Sequence, residues 1–156
     1  MLGYKGERDV RYGAVVEMIH TATLIHDDII DEAGTRRGNL TLNNRFGNEI
    51  AVIVGDYALA IVFRALLAEK DFYIMDMVLS TSQQLGMGEL HEILNRNNHA
   101  MTIEEYYRVI DLKTAALFSL CSQLGAYLGG AGPAEVELAG QYGKQLGTSF
   151  QIDFSG

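Results

Sequence analysis

Three aspartates fall within five residues in "LIHDDIIDEAGTRRG", Leu24 to Gly38, and two arginines follow them. On a helix Asp27 and Asp31 stand four apart and share a face, with Asp28 about 100° round. Like charges at that spacing repel by roughly 0.2–0.5 kcal/mol. A position near a helix C-terminus adds to the cost, because the macrodipole there disfavours anions. Leu24, Ile25, Ile29 and Ile30 point to partial burial, which penalises an unpaired carboxylate further. A divalent cation relieves all three penalties. Mg²⁺ takes one or two carboxylates and fills its other positions with water and substrate phosphates. For the DDxxD pattern alone, a solvated acidic helix end is the plainer alternative. Arg36 and Arg37 follow Gly34 closely enough to fold back over the carboxylates. Two guanidiniums beside a bound cation suit phosphate oxygens, which Arg grips through paired N–H donors. Simple salt bridges from arginine to aspartate are the alternative there.

A second group lies in "DLKTAALF", where Lys113 and Thr114 sit mid-helix and lead into Ala115, Ala116, Leu117 and Phe118. An ammonium and a hydroxyl beside an apolar wall suit a phosphate head with a greasy tail, although a Lys-Thr pair alone is usually solvated. Gln151 in "TSFQI" is a two-way hydrogen bonder on a late apolar helix, and a core-edge glutamine is its plainer reading. "EMIH", Glu17 to His20, has the Glu-x-x-His spacing of di-iron bundles. Such a site needs a second copy, and His26, His91 and His99 supply none. The di-iron reading therefore falls behind. His20 lies seven residues before Asp27 on the same face, within reach of a ligand held by the aspartates.

These residues need helices to carry them. Val15, Val16, Ile19, Thr23 and Ile30 recur at the spacing of one helix face, and strand-like alternation is missing. The expected helices span roughly 8–33, 41–47, 49–68, 71–94, 102–128 and 134–152. Thr102 with Glu105 forms a capping box. Gly34 is expected to end the helix that carries the aspartates. Gly129, Gly130 and Gly132 stop a later one, and Pro133 suits the first turn of the next. The 17 glycines are many for a helical chain, and some are expected to let helices approach closely.

At 156 residues the sequence fits a single helical domain, residues 1–156, with a core of its own. Hydrophobic residues make up 48 % and charged residues 21 %, an ordinary globular mix that argues against disorder. A net charge of −8 argues against a nucleic-acid partner. The lone Cys121 excludes an internal disulfide and favours a reducing compartment. "IAVIVGDYALAIVF" (residues 50–63) is interrupted by Asp56 and, as a run, is too short to span a bilayer. The expectation is a soluble cytoplasmic protein without a transmembrane segment.

Taken in order, "EMIHTATLIHDDIIDEAGTRRG", "VGDYALA", "GMGEL", "YYRVIDLKTAALF" and "GTSFQI" resemble the trans-polyprenyl diphosphate synthases over almost the whole chain. The resemblance implies an all-α antiparallel bundle around a deep apolar cavity, usually in a homodimer. It implies that Asp27 and Asp31, with Asp28 nearby, bind Mg²⁺ bridged to the diphosphate of an allylic donor such as farnesyl diphosphate. Arg36 then binds that diphosphate, and Arg37 and His20 that of isopentenyl diphosphate. Lys113, Thr114 and Gln151 complete the donor side. Asp27, Asp28, Asp31, Arg36 and Lys113 are the implied catalytic set. Small residues at Ala22 and Thr23, where short-chain members carry bulky aromatics, imply a product longer than geranylgeranyl. Two parts of the family pattern are not in this sequence: an upstream Gly-Lys-Arg segment, and the second aspartate motif after Phe-Gln-hydrophobic, where Asp153 alone follows. Activity is therefore expected of the parent synthase rather than of this polypeptide alone. A non-catalytic helical subunit of a heteromeric synthase is the alternative.

Overall fold

The computed structural model describes residues 4–98 and 100–154. It is all-α apart from one two-residue hairpin. The elements are α1 (Arg8–Ile30), β1 (Thr35–Arg36), β2 (Asn39–Leu40), α2 (Leu42–Phe46), α3 (Asn48–Glu69), α4 (Phe72–Asn95) and α5 (Ile103–Ile110). A π-helical turn (Asp111–Ala115), α6 (Ala116–Leu128) and α7 (Pro133–Phe154) complete the chain. Contacts group them into two compact units, one of residues 14–71 and one of residues 1–13 with 72–156.

In the unit of residues 14–71, α1 buries Val15, Val16, Ile19, Ala22 and Ile25, and α3 buries Ala51, Val62 and Leu66. Thr23 and Ile30, expected on the buried face, are only half-buried, so the face is turned slightly from the one the spacing suggested. At Gly55 the imidazole of His26 lies so close that any Cβ would collide with it. The expected helix over 8–33 stops at Ile30, and the residue that stops it is Glu32 rather than Gly34. Glu32 adopts φ 51°. Its N–H donates to Ile29 O (3.2 Å) and that of Ala33 to Asp28 O (2.9 Å). This is a Schellman ending with Glu at the left-handed position where glycine is usual. The hairpin that follows was not expected. Thr35 pairs with Leu40 and Arg36 with Asn39, and the two-residue loop takes positive φ at Arg37 (50°) and Gly38 (80°). Two successive positive values are the signature of a type I′ turn, whose twist matches a hairpin.

α3 matches the helix expected over 49–68. The run of residues 50–63 is thus part of a longer helix, which contains an 18-residue stretch of mean hydropathy 2.1 and is long and apolar enough by length and composition to cross a membrane. Asp56 and Arg64 both lie exposed on it, and each costs about 2.5–3.5 kcal/mol at a bilayer centre.

In the other unit, Ile74, Val78 and Leu85 of α4 are buried with Ile110, Ala115, Leu120, Leu124 and Val136. The capping box starts α5 as expected: Glu105 N–H donates to Thr102 Oγ1 (3.2 Å) and Thr102 N–H to Glu105 Oε2 (2.8 Å). The helix expected over 102–128 runs without a gap from Ile103 to Leu128, with a π-turn inside it at Asp111–Ala115. There the N–H of Ala116 donates to Asp111 O, five residues back. Gly130 (φ 85°) ends α6 and Pro133 opens α7, as the sequence indicated. α7 meets α6 through Gly140 and Gly143, where added Cβ atoms would strike Gln123 and Phe118, and the π-turn through Gly147, where one would strike Ala115.

Candidate functional site

The aspartates stand at the end of α1. Asp27 is half-buried in its last turn, and Asp31, just past the helix, is exposed. The N–H of Asp31 still donates to Asp27 O (2.8 Å), so the two residues remain one helical turn apart. Asp28 points elsewhere. It is 7 % exposed, and its Oδ1 accepts from Nε of Arg36 at 2.8 Å. Arg36 therefore folds back over the cluster as its spacing allowed, with Asp28 as its partner. Arg37, at the hairpin tip, is exposed. The hairpin thus separates adjacent arginines, one onto α1 and the other into solvent. His20 is half-buried on α1, and its carbonyl accepts from Thr23 Oγ1 (2.8 Å). Ala22 is fully buried.

The link from α1 to the hairpin is tied by residues the sequence did not single out. Thr41 is buried and its hydroxyl donates to Ala33 O at 2.6 Å, while its oxygen accepts from Asn44 N–H at the start of α2. Asn43 Nδ2 lies 3.2 Å from Asp28 O and 3.3 Å from Ala33 O. Thr41→Val keeps the volume and loses the hydroxyl. It is expected to cost about 1–2 kcal/mol, from a lost cap and an unmet carbonyl, read as a lower urea midpoint at unchanged slope.

Lys113, Thr114 and Gln151 are brought together in the second unit. They line a cavity of about 300 Å³, and Thr114 Oγ1 donates to Gln151 Oε1 at 2.7 Å. Met101, Val109 and Ile110 give this cavity an apolar side. Lys113 Nζ lies 2.7 Å from Glu89 Oε2 and 2.6 Å from Glu92 Oε2. These two carboxylates and Arg96, which lines the same cavity, were missed as site residues. "GMGEL" contained Glu89, but nothing local tied it to a lysine twenty-four residues on. An anion entering the cavity therefore meets an ammonium that two carboxylates already flank.

The donor set at Asp27 and Asp31 suits a hard cation that keeps water and phosphate ligands, which needs no more than two carboxylates. Among the described residues no three His, Cys, Asp or Glu side chains are gathered as a metal cluster. Glu17 is exposed beside the half-buried His20, which gives the di-iron alternative no support, and His99 lies outside the described residues.

Residues 1–153 match the polyprenyl synthetase family model, and the chain belongs to this family. It is 38 % identical over 151 residues to the octaprenyl diphosphate synthase of Escherichia coli K12, covering 97 % of this chain and 47 % of that protein. Among solved structures, a decaprenyl diphosphate synthase from Rhodobacter capsulatus superposes with a TM-score of 0.93 at 40 % identity, covering 97 % of this chain and 46 % of that one. A polyprenyl synthase from Caulobacter crescentus, crystallised with calcium and isoprenyl diphosphate, superposes with a TM-score of 0.92 at 30 % identity, covering 97 % of this chain and 46 % of that one. The chain spans about half the length of the curated relatives it matches. The fold is that of the all-α isoprenoid synthases.

Proposed function

We propose that this chain is part of a prenyltransferase that condenses isopentenyl diphosphate with an allylic diphosphate, giving a long-chain trans-polyprenyl diphosphate. The observation that carries the reading is the end of α1: Asp27 and Asp31 one turn apart, followed by a hairpin that places Arg36 on Asp28 and Arg37 at its tip. The solved relative bearing calcium and an isoprenyl diphosphate supports it. In the reaction the allylic C1–O bond breaks and diphosphate leaves with the electron pair. The double bond of isopentenyl diphosphate then forms the new C–C bond at C1, and a proton lost from its C2 restores an alkene. Asp27 and Asp31 would hold Mg²⁺, which would supply charge neutralisation for a departing diphosphate.

The chain's own residues do the rest. Arg36 is oriented by Asp28 and offers its remaining N–H groups to the donor diphosphate, where fixed donors lower the barrier by meeting developing negative charge. Arg37 and His20 serve the diphosphate of isopentenyl diphosphate. Lys113 binds donor oxygens, and Thr114 joins it by turning towards them the proton that it gives Gln151 Oε1 in this structure. Apolar walls such as Val109 and Ile110 exclude water that would quench the cation. Ala22 leaves room for a long product. A homodimer is the proposed assembly.

Calorimetric titration of farnesyl diphosphate into the purified chain, with Mg²⁺ and again with EDTA, tests the reading. Binding that disappears with EDTA is the expected result. A helical sample by circular dichroism that binds in neither condition overturns it for this polypeptide and favours the non-catalytic subunit.

A further inference from the structure

Lys144, Gly147, Thr148 and Gln151 follow one another at i, i+3, i+4 and i+7, so they lie along one face of α7. Each meets the π-turn. Lys144 Nζ is 2.8 Å from Asp111 Oδ2. Thr148 Oγ1 lies 3.3 Å from Asp111 Oδ1 and 3.0 Å from Lys144 O, so its single proton is shared between them. Gly147 leaves space for Ala115, whose Cα would stand 2.7 Å from an added Cβ. Gln151 accepts from Thr114. The turn is also confined from α4, where a Cβ on Gly88 would stand 2.7 Å from the backbone nitrogen of Lys113.

A π-turn carries one more residue than an α-turn and is rare, so it persists only where its surroundings favour it. Here the contacts from α7 fall on its first, fourth and fifth residues and bracket Lys113. We propose that Lys144 and Thr148 are positioning residues, which clamp Asp111 to α7 and hold the π-turn in the register that directs Lys113 and Thr114 into the cavity. The proposal rests on the functional reading above for what the cavity binds, but the clamp itself is a property of the turn. Asp111 and Lys144 are 34 % and 48 % exposed, so solvent screens the pair and its effect is modest. Its importance is in choosing between two backbone registers rather than in overall stability.

The test compares Lys144→Met/Thr148→Val, which removes both partners of Asp111, with the charge-exchanged Asp111→Lys/Lys144→Asp and the single Lys144→Asp. Three quantities are read on the whole chain: amide hydrogen exchange over residues 111–116, the NMR resonance of the Lys113 ammonium, and affinity for farnesyl diphosphate with Mg²⁺. In the first variant exchange in that segment is expected to rise, and affinity to fall, by roughly threefold to tenfold, while amides of α6 beyond Leu120 keep their protection. Lys144→Asp behaves likewise, and the exchanged pair recovers exchange, resonance and affinity. Unchanged exchange and an unmoved Lys113 resonance in the first variant overturn the clamp, as does an exchanged pair no better than Lys144→Asp. Wild-type protein that fails to bind farnesyl diphosphate overturns the proposed function instead, and exchange and the Lys113 resonance still decide the clamp.

Discussion

Asp27→Ala removes Mg²⁺-dependent binding of farnesyl diphosphate, weakening it about a hundredfold or more, while the helical circular dichroism signal is kept. Loss of a group that only orients a metal ligand already costs 10- to 100-fold, roughly, in metal affinity, and Asp27 is proposed as a ligand itself. Helicity is kept because Asp27 lies in the last turn of α1, where the macrodipole gains from the loss of a negative charge. Asp28→Asn separates the two roles. Its carboxylate is buried and bonded to Arg36, so the change acts first on the hairpin and costs about 1–2 kcal/mol of stability, with Arg36 half-exposed and able to find water. Titration and urea unfolding on both variants check this. Binding retained in Asp27→Ala would remove the metal-bridged reading of the cluster.

The contrast shows what the sequence could and could not carry. Helix spacing placed Asp27, Asp28 and Asp31 on α1 and showed that Arg36 could fold back, because those relations are local. It did not show that Asp28 rather than Asp31 is the buried one, since burial depends on which face packs, and the Val15–Ile30 pattern left that face uncertain by about one position. Gly34 was the natural stop for α1, yet Glu32 stops it. Hydrogen bonds from Thr41 and Asn43 to Ala33 and Asp28 hold the chain there and over-ride the preference for glycine. The hairpin had too few residues for any alternation to show, and only Arg37-Gly38 marked its turn. The fold class was legible, and so was the grouping of Lys113, Thr114 and Gln151, through the resemblance. The π-turn was not, because a single extra residue in a helix leaves the apolar spacing on either side intact. Glu89, Glu92 and Lys144 gained meaning only once tertiary packing supplied their partners.

The π-turn also gives two glycines of one helix opposite fates. Gly86 and Gly88 both lie inside α4, where replacing glycine by alanine favours the helix by up to about 1 kcal/mol. A Cβ on Gly86 meets nothing within 4 Å, so Gly86→Ala is expected to raise stability by close to that amount, read as a higher urea midpoint at unchanged slope. A Cβ on Gly88 would stand 2.7 Å from the nitrogen of Lys113 and 2.9 Å from the carbonyl carbon of Leu112. Both are backbone atoms, so no side chain can swing aside and the π-turn itself must shift. Overpacking of that kind costs about 1–3 kcal/mol, which exceeds the helical gain, so Gly88→Ala lowers the midpoint. It also displaces Lys113 from Glu89 and Glu92, whose contacts at 2.7 and 2.6 Å leave little tolerance, and weakens farnesyl diphosphate binding about tenfold, equal to ~1.4 kcal/mol. Opposite shifts from identical substitutions two residues apart exclude helix propensity as the cause. Equal shifts would mean that α4 does not press on the turn, and that the position of Lys113 is set from α7 alone.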